Sequence, residues 1–357
     1  MKCVILTFHD VNNYGAVLQA YSLKCYLERM GHSVNFADAK PDIIKESYRI
    51  NPFRRPFGIK IFARRMISYF FPQLRETISF KRFIKRNMGK TIRADMDSFR
   101  RIGTEAVIIG SDQVWNDKIT GETDVYYLPW LDSSIRKISY AASFGTKKLS
   151  EYQKKCIKEN VGSFHAVSLR EPACIQDIEQ LSSMKAVTVV DPVLLNDRKF
   201  WEEAADSSMV RPEEGSYILY YSLSGDKHLV AAAGELSRKL DKKIIAVHPT
   251  GIRQAVNGRQ LYNAGPAEFL YLIKNAALVV TDSFHGSAFS LIFGKKYYHN
   301  VGVADLRVES LLTNVRVYDS CKVDCQGAEI LDLSLADSER LASLIRSSAD
   351  FLETALK

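Results

Sequence analysis

Short apolar runs alternate with helix-like runs along nearly all of this 357-residue chain, and that alternation most constrains its fold. In the first half the strand-like runs are Cys3–Phe8, Val34–Ala37, Ala106–Ile109, Ile138–Ala142, Ala166–Leu169 and Val187–Val190. Ala16–Met30 reads as a helix stopped by Gly31, and 150–163 and 172–182 read as two more. After Asp191-Pro192, residues 196–215 read as a polar, charged connector. A second set follows: Tyr217–Tyr221, a helix near 226–240, Ile244–Val247, a helix near 266–275, Leu278–Val280 and Tyr297–Val301. Residues 335–357 read as a terminal helix. Strands apolar on both faces belong to parallel sheets covered by helices on each side, which strand–helix alternation builds. The expected fold class is therefore α/β, with two doubly wound parallel-sheet domains facing a cleft. No internal repeat or low-complexity tract interrupts the pattern.

Composition agrees with a folded chain of two domains: hydrophobic content is 46% and charged content 25%. No apolar run reaches about 18 residues, so no membrane span is expected. The apolar part of Met1–Phe8 is short and passes directly into His9-Asp10, unlike a signal peptide. Six cysteines are scattered at 3, 25, 156, 174, 321 and 325; beside Cys321 and Cys325 no second pair or nearby histidine completes a metal site. They read as reduced thiols in a cytoplasmic protein, with no metal. The net charge of +8 is uneven: 45–101 holds 16 Lys/Arg against four acids, a net of +12, which leaves −4 for the rest. Within that basic helical insert, 57–71 mixes aromatic and aliphatic residues with cations. It reads either as a helix packed on the core or as a contact with an anionic membrane surface. No nucleic-acid motif accompanies the charge, so nucleic acid is not an expected partner. Nothing in the sequence fixes an oligomeric state.

Ligands of open α/β sheets sit beyond the carboxyl ends of the strands, so the loops there carry the chemistry. The most informative is 281–294. Thr281-Asp282-Ser283 turns out of an apolar strand, and His285 and Gly286 open a helix with apolar residues at Ala288, Phe289, Ile292 and Phe293. A histidine at the start of a helix can bind an anion or move a proton. It can equally be a buried ring shaping the turn. After the first strand, His9, Asn12, Asn13, Tyr14 and Gly15 form a polar loop in which Gly15 permits close backbone approach. That loop lacks the spaced glycines of a dinucleotide fingerprint and the lysine of a P-loop. After the strand at 106–109, Ser111, Asp112 and Trp115 set a carboxylate beside an aromatic face, which suits a sugar but also suits a capped turn with a core tryptophan. After the strand at 166–169, Arg170 can fork onto a carboxylate or phosphate, or pair structurally with Glu171 or Asp191.

Taken together, these segments resemble the polysaccharide pyruvyl transferase family. The resemblance rests on six pieces in order: 13–21 (NYGAVLQAY), 110–116 (GSDQVWN), 139–145 (SYAASFG), 168–171 (SLRE), Asp191-Pro192, and 281–286 (TDSFHG). It implies two Rossmann-like halves of the glycosyltransferase-B kind: an N-terminal, acceptor-side domain over 1–195 and a C-terminal, donor-side domain over 210–335. A terminal helix, 336–357, would cross back onto the first domain. It implies transfer of an enolpyruvyl unit from phosphoenolpyruvate to two hydroxyls of a sugar, giving a ketal and phosphate with no further cofactor. The donor positions it carries over are Arg170 and His285, with backbone near Phe284. Many members have arginine two residues before the motif histidine, where this chain has Ser283; Lys295, Lys296 and Arg307 are the candidates to replace that charge.

The leading expectation is thus pyruvyl transfer to a sugar of a cell-surface polysaccharide or its lipid-linked precursor, at the inner face of the cytoplasmic membrane. His285 and Asp112 are the candidate catalytic residues. Arg170, Ser283, Phe284, His285, Gly286 and Arg307 form the candidate donor site, and His9, Asn13, Tyr14, Gly15, Ser111, Asp112 and Trp115 the candidate acceptor site. Two alternatives stay open: a glycosyltransferase with a nucleotide-sugar donor, for which 247–251 is a weak pocket candidate, and a non-catalytic member that binds a small anion.

Overall fold

Each apolar run forms a strand whose backbone bonds are satisfied by parallel neighbours, in a computed structural model that describes residues 1–47, 71–248, 256–299, 306–324 and 329–357. The first sheet comprises β1 (Lys2–Leu6), β2 (Ser33–Asp38), β3 (Thr91–Arg93), β4 (Ala106–Asp112), β5 (Arg136–Ala142), β6 (Ala166–Leu169) and β7 (Ala186–Thr188), in spatial order β3-β2-β1-β4-β5-β6-β7. The second comprises β8 (Tyr217–Tyr221), β9 (Lys243–Val247), β10 (Arg259–Leu261), β11 (Leu278–Thr281), β12 (Lys296–Tyr298), β13 (Lys322–Asp324) and β14 (Glu329–Asp332), in order β10-β9-β8-β11-β12-β14-β13. Strand order reverses at β1/β4 in one sheet and at β8/β11 in the other. The chain therefore has the expected two Rossmann-like halves.

The helix Tyr14–Arg29 begins at Asn13, whose side chain accepts from the Ala16 N–H at 3.1 Å. The helix packs its apolar face on the sheet and also reaches the second half. Tyr14 stacks on Phe269 at 4.4 Å and its hydroxyl donates to the Ala264 carbonyl at 2.8 Å. The last helix, Ser338–Leu356, returns to the first half, where Ser348 Oγ accepts from the Val190 N–H at 2.9 Å and Phe351 faces Tyr140.

Three parts depart from the sequence reading. The connector 196–215 contains a helix, Arg198–Ala205, capped by Asp197. Its charges face water, while Trp201 is fully buried edge-on to Phe289 at 4.8 Å. The second sheet is not wholly parallel: β14 pairs antiparallel with β12 and β13. The basic region 45–101 is not all helical, since β3 extends the first sheet beyond β2. In that region the helix Phe71–Asn87 buries Phe80 and Phe83 in the core. Residues 57–70 of the proposed membrane-facing stretch, and 300–301 of the expected strand 297–301, lie outside the described residues. Among the described residues no helix is long and apolar enough to cross a membrane.

Candidate functional site

The two strand-order reversals face each other, and a cleft of about 340 Å³ lies between them. Phe8, Val11 and Asn13 reach it from the loop after β1, and Asp112 and Gln113 from the end of β4. Tyr221 and Leu223 enter from the end of β8, and Ser283, Phe284 and His285 from the turn after β11. Lys118 on the short helix Asp117–Thr120 and Arg307 on the helix Leu306–Asn314 add cations to its wall. Crevices outside the carboxyl ends of strands, at the point where strand order reverses, are where open α/β sheets bind ligands.

Behind the cleft wall lies a buried charge cluster around Asp191, which follows β7; it meets the lining at Asp112 and His285. Arg170, at the end of β6, places Nε 3.3 Å from Asp191 Oδ2 and Nη2 3.9 Å from Asp112 Oδ1. His285 Nε2 stands 3.7 Å from the same Asp191 oxygen. Ser111 Oγ and the Val193 N–H donate to the Asp191 carboxylate at 2.9 and 3.0 Å. Burial alone raises the pKa of Asp191, but Arg170 and then His285 outweigh it and hold the carboxyl well below its usual range. The cations are less well served. Both Nη nitrogens of Arg170 and Nε2 of His285 are buried and have no hydrogen-bond acceptor among the described residues. These donors keep hydrogen-bonding capacity beyond their ion pairs with Asp191 and Asp112.

Phe284 carries both guanidinium groups over its ring, Arg170 at 5.0 Å and Arg307 at 5.8 Å from the centroid. With its amide oxygen turned toward Arg307, Gln113 accepts from the two Nη atoms at 2.9 and 3.1 Å. Ser283 caps the helix Phe284–Ile292, accepting from the Gly286 N–H at 3.4 Å, so its role in the turn is structural as well as cleft-lining. Gly286 sits so close to Thr281 that a Cβ there would lie 2.6 Å from Oγ1. Of the candidate replacement cations, Arg307 lines the cleft. Lys295 instead donates Nζ to the Lys274 carbonyl at 2.9 Å, and Lys296 sits on β12.

The candidate acceptor residues divide. Asn13 and Asp112 line the cleft, and Gly15 lies against His285, where a Cβ would come within 1.9 Å of Nδ1. Asp112 holds φ at 75°, a left-handed conformation that an L side chain adopts at a cost, and its Oδ1 accepts from the Gln113 N–H at 2.8 Å. Ser111 works from behind, as a donor to Asp191. The other three are placed in the core, contrary to the expectation that they meet a sugar. His9 stacks on Phe36 and spends both ring nitrogens, on the Thr7 carbonyl at 3.0 Å and Thr91 Oγ1 at 3.1 Å; burial lowers its pKa. Trp115 is buried against Tyr127 and donates Nε1 to the Tyr126 carbonyl at 3.0 Å. Tyr14 is the bridge between the halves described above. Asp282 clamps the 222–224 loop, accepting from Ser222 Oγ at 2.7 Å and the Leu223 N–H at 2.7 Å.

Sequence reasoning missed Asp191 as a site residue, along with Gln113, Lys118 and Tyr221. In the sequence Asp191 reads only as a candidate structural partner of Arg170 and as half of the Asp191-Pro192 motif; that pairing with Arg170 is present, and the further partners His285 and Ser111 come from separate segments. Among the described residues no three His, Cys, Asp or Glu side chains gather as metal ligands do.

Comparison with known proteins gives the fold and the family separately. The structure resembles the UDP-GlcNAc 2-epimerase of Neisseria meningitidis solved with UDP-GlcNAc bound, with a TM-score of 0.52 and 10% identity, covering 100% of both chains. It also resembles the UDP-GlcNAc 2-epimerases of Methanocaldococcus jannaschii (TM-score 0.50, 13% identity, 97% of this chain and 92% of that one) and Rickettsia bellii (0.50, 10%, 99% and 96%). At these identities the likeness is one of fold, of the glycosyltransferase-B kind. No match to a curated protein sequence was found. The profile of the polysaccharide pyruvyl transferases matches residues 13–297, from the cap of the first helix to β12, which takes in the loops after β4, β6, β8 and β11. The chain therefore belongs to the polysaccharide pyruvyl transferase family and is a transferase.

Proposed function

We propose that this protein transfers the enolpyruvyl unit of phosphoenolpyruvate to two hydroxyls of one sugar, forming a ketal and releasing phosphate. The observation that carries the reading is the set of buried donors without hydrogen-bond acceptors among the described residues: His285 Nε2, on a cleft that also holds Arg307 and Lys118, and Arg170 Nη1 and Nη2, behind Phe284 of its wall. Phosphoenolpyruvate brings about three negative charges, and a closed site with fixed cations beside a helix N-terminus compensates them. Arg170 takes the carboxylate or phosphate. Arg307, steadied by Gln113, supplies the second clamp where Ser283 has only a capping hydroxyl.

The chemistry needs one proton delivered and two removed. His285 in its charged form gives a proton to the methylene carbon, and positive charge develops on the adjacent carbon. The first sugar hydroxyl adds there and loses its proton to Asp112, the carboxylate at the cleft wall. The C–O bond to phosphate then breaks, its electron pair leaving with phosphate, and the second hydroxyl adds to the same carbon. Its proton departs with phosphate as the monohydrogen form. Arg170 and Arg307 favour the leaving group throughout. The acceptor is a saccharide of a surface polysaccharide or of its lipid-linked precursor, presented at the cytoplasmic face of the membrane.

The test is phosphate release from phosphoenolpyruvate with a panel of saccharides, with the ketal product identified by mass. Release that tracks ketal formation and vanishes in His285→Ala, with the thermal midpoint unchanged, supports the proposal. Near wild-type turnover in His285→Ala refutes it.

A further inference from the structure

We infer that Asp191 is a positioning residue: from the first domain it orients the His285 ring of the second and sets a fixed negative charge against it. This rests on the reading of His285 as the proton donor given above. The His285 side chain projects from a helix that follows β11 of the second sheet, yet its surroundings belong to the first. Gly15, at the start of the first helix, sits against one side of the ring, at a distance that leaves no room for a Cβ between them. Asp191 Oδ2 faces Nε2 at 3.7 Å, too long for a hydrogen bond and near enough for a strong coulombic pairing.

The carboxylate is itself fixed by first-domain groups. Val193 N–H holds Oδ1, and Ser111 Oγ holds Oδ2, the oxygen that faces the ring. No part of the Asp191 side chain is exposed, so water does not screen it. The other charges at the ring are Arg170, paired with both Asp191 and Asp112, then Arg307 over Phe284, and Lys118 on the cleft wall. Arg307 and Lys118 line the same cleft as His285, and each cation near the ring disfavours its protonation. Asp191 is the carboxylate that faces the ring and opposes them. Because its partner comes from the other domain, the His285–Asp191 pair exists only where the two halves meet.

The experiment is an imidazole ¹H–¹⁵N titration of the full chain without any donor, comparing wild type with Asp191→Asn; the His285 signal is assigned by its loss in His285→Gln. Asparagine removes the charge, keeps its one oxygen as acceptor for the Val193 N–H, and sets an amide NH2 where the Ser111 hydroxyl can turn to accept. The protonation midpoint of the His285 ring should move to lower pH, and Asp191→Glu should recover part of the shift. In turnover, the limb lost on raising pH should move the same way, with kcat down roughly 100-fold and the donor KM changed far less. If Asp191→Asn does not fold, Ser111→Ala carries the test: freed of its hydroxyl donor, Oδ2 attracts the imidazolium more strongly, and the midpoint should rise. An unmoved midpoint in the folded variant overturns the inference. A moved midpoint in a protein that releases no phosphate from phosphoenolpyruvate leaves the pairing standing and removes the pyruvyl-transfer reading instead.

Discussion

Gly15→Ala puts a methyl group where the structure has a histidine ring. The added Cβ lies 1.9 Å from His285 Nδ1, 2.4 Å from Cε1 and 2.5 Å from Cγ, whereas ordinary contact begins at 3.4 Å. The ring must therefore retreat by about 1.5 Å, or the first helix must move, before the two can coexist. Gly234, in the helix Lys227–Leu240, is the matched control: a Cβ there meets nothing within 4 Å. Alanine at Gly234 should stabilise the protein by roughly 0.5–1 kcal/mol, the helical preference of alanine over glycine. Alanine at Gly15 has the same preference to gain but meets overpacking worth roughly 1–3 kcal/mol, so its net effect is about zero to 2.5 kcal/mol of destabilisation. Displacing a reacting group by ~1 Å costs on the order of 100-fold in rate, so phosphate release should fall by that factor. Thermal melts and initial rates on the two variants separate these terms. A Gly15→Ala protein that is both more stable and fully active refutes the placement of His285 against the first helix.

Asp112→Gly relieves a left-handed backbone, for which glycine is roughly 1 kcal/mol better, and deletes the proposed base; the melt should hardly change while turnover drops at least about tenfold. Full activity in that variant assigns the base elsewhere. Trp115→Phe should cost roughly 1–3 kcal/mol of stability, by loss of its bond to the Tyr126 carbonyl and of volume, and leave the saccharide KM unaltered; a large rise in KM would return Trp115 to the acceptor site. Burial lowers the pKa of His299 to about 4 from 6.5. The unfolded chain therefore binds the extra proton first. Stability should be complete above about pH 6.5 and fall by up to about 3 kcal/mol as pH drops to about 4, then level off for this group. Denaturant melts on His299→Phe should show a shallower fall over that window, and an identical fall would discharge His299.

The strand–helix alternation made both sheets legible, because a parallel strand buried on two faces must be apolar throughout. Ala166–Leu169 and Tyr217–Tyr221 coincide with β6 and β8 for this reason. The helix Arg198–Ala205 escaped because it is short and shows four charges for one buried tryptophan. Its stability comes from the Trp201 contact with Phe289, a residue far along the chain. β13 and β14 escaped because they are three and four residues long and pair with each other, which no local pattern records. At the candidate site, the rule that ligands sit beyond strand ends singled out Asp112 and His285, which line the cleft, and Arg170, which lies behind its wall. It placed His9 and Trp115 there too, since a loop residue pointing into the core reads the same as one pointing into the cleft. Asp191 could not be weighted properly, because its significance comes from Ser111, Arg170 and His285, which only folding brings together.

The central claim is that the cleft is built for phosphoenolpyruvate, and calorimetry on the purified chain tests it most directly. Phosphoenolpyruvate should bind, and binding should weaken roughly 10–100-fold in His285→Ala and in Arg307→Ala, as expected for loss of one charge-assisted contact. Sugar nucleotides of uridine and guanosine should not compete. Absence of phosphoenolpyruvate binding, with a sugar nucleotide bound in its place, would contradict the account.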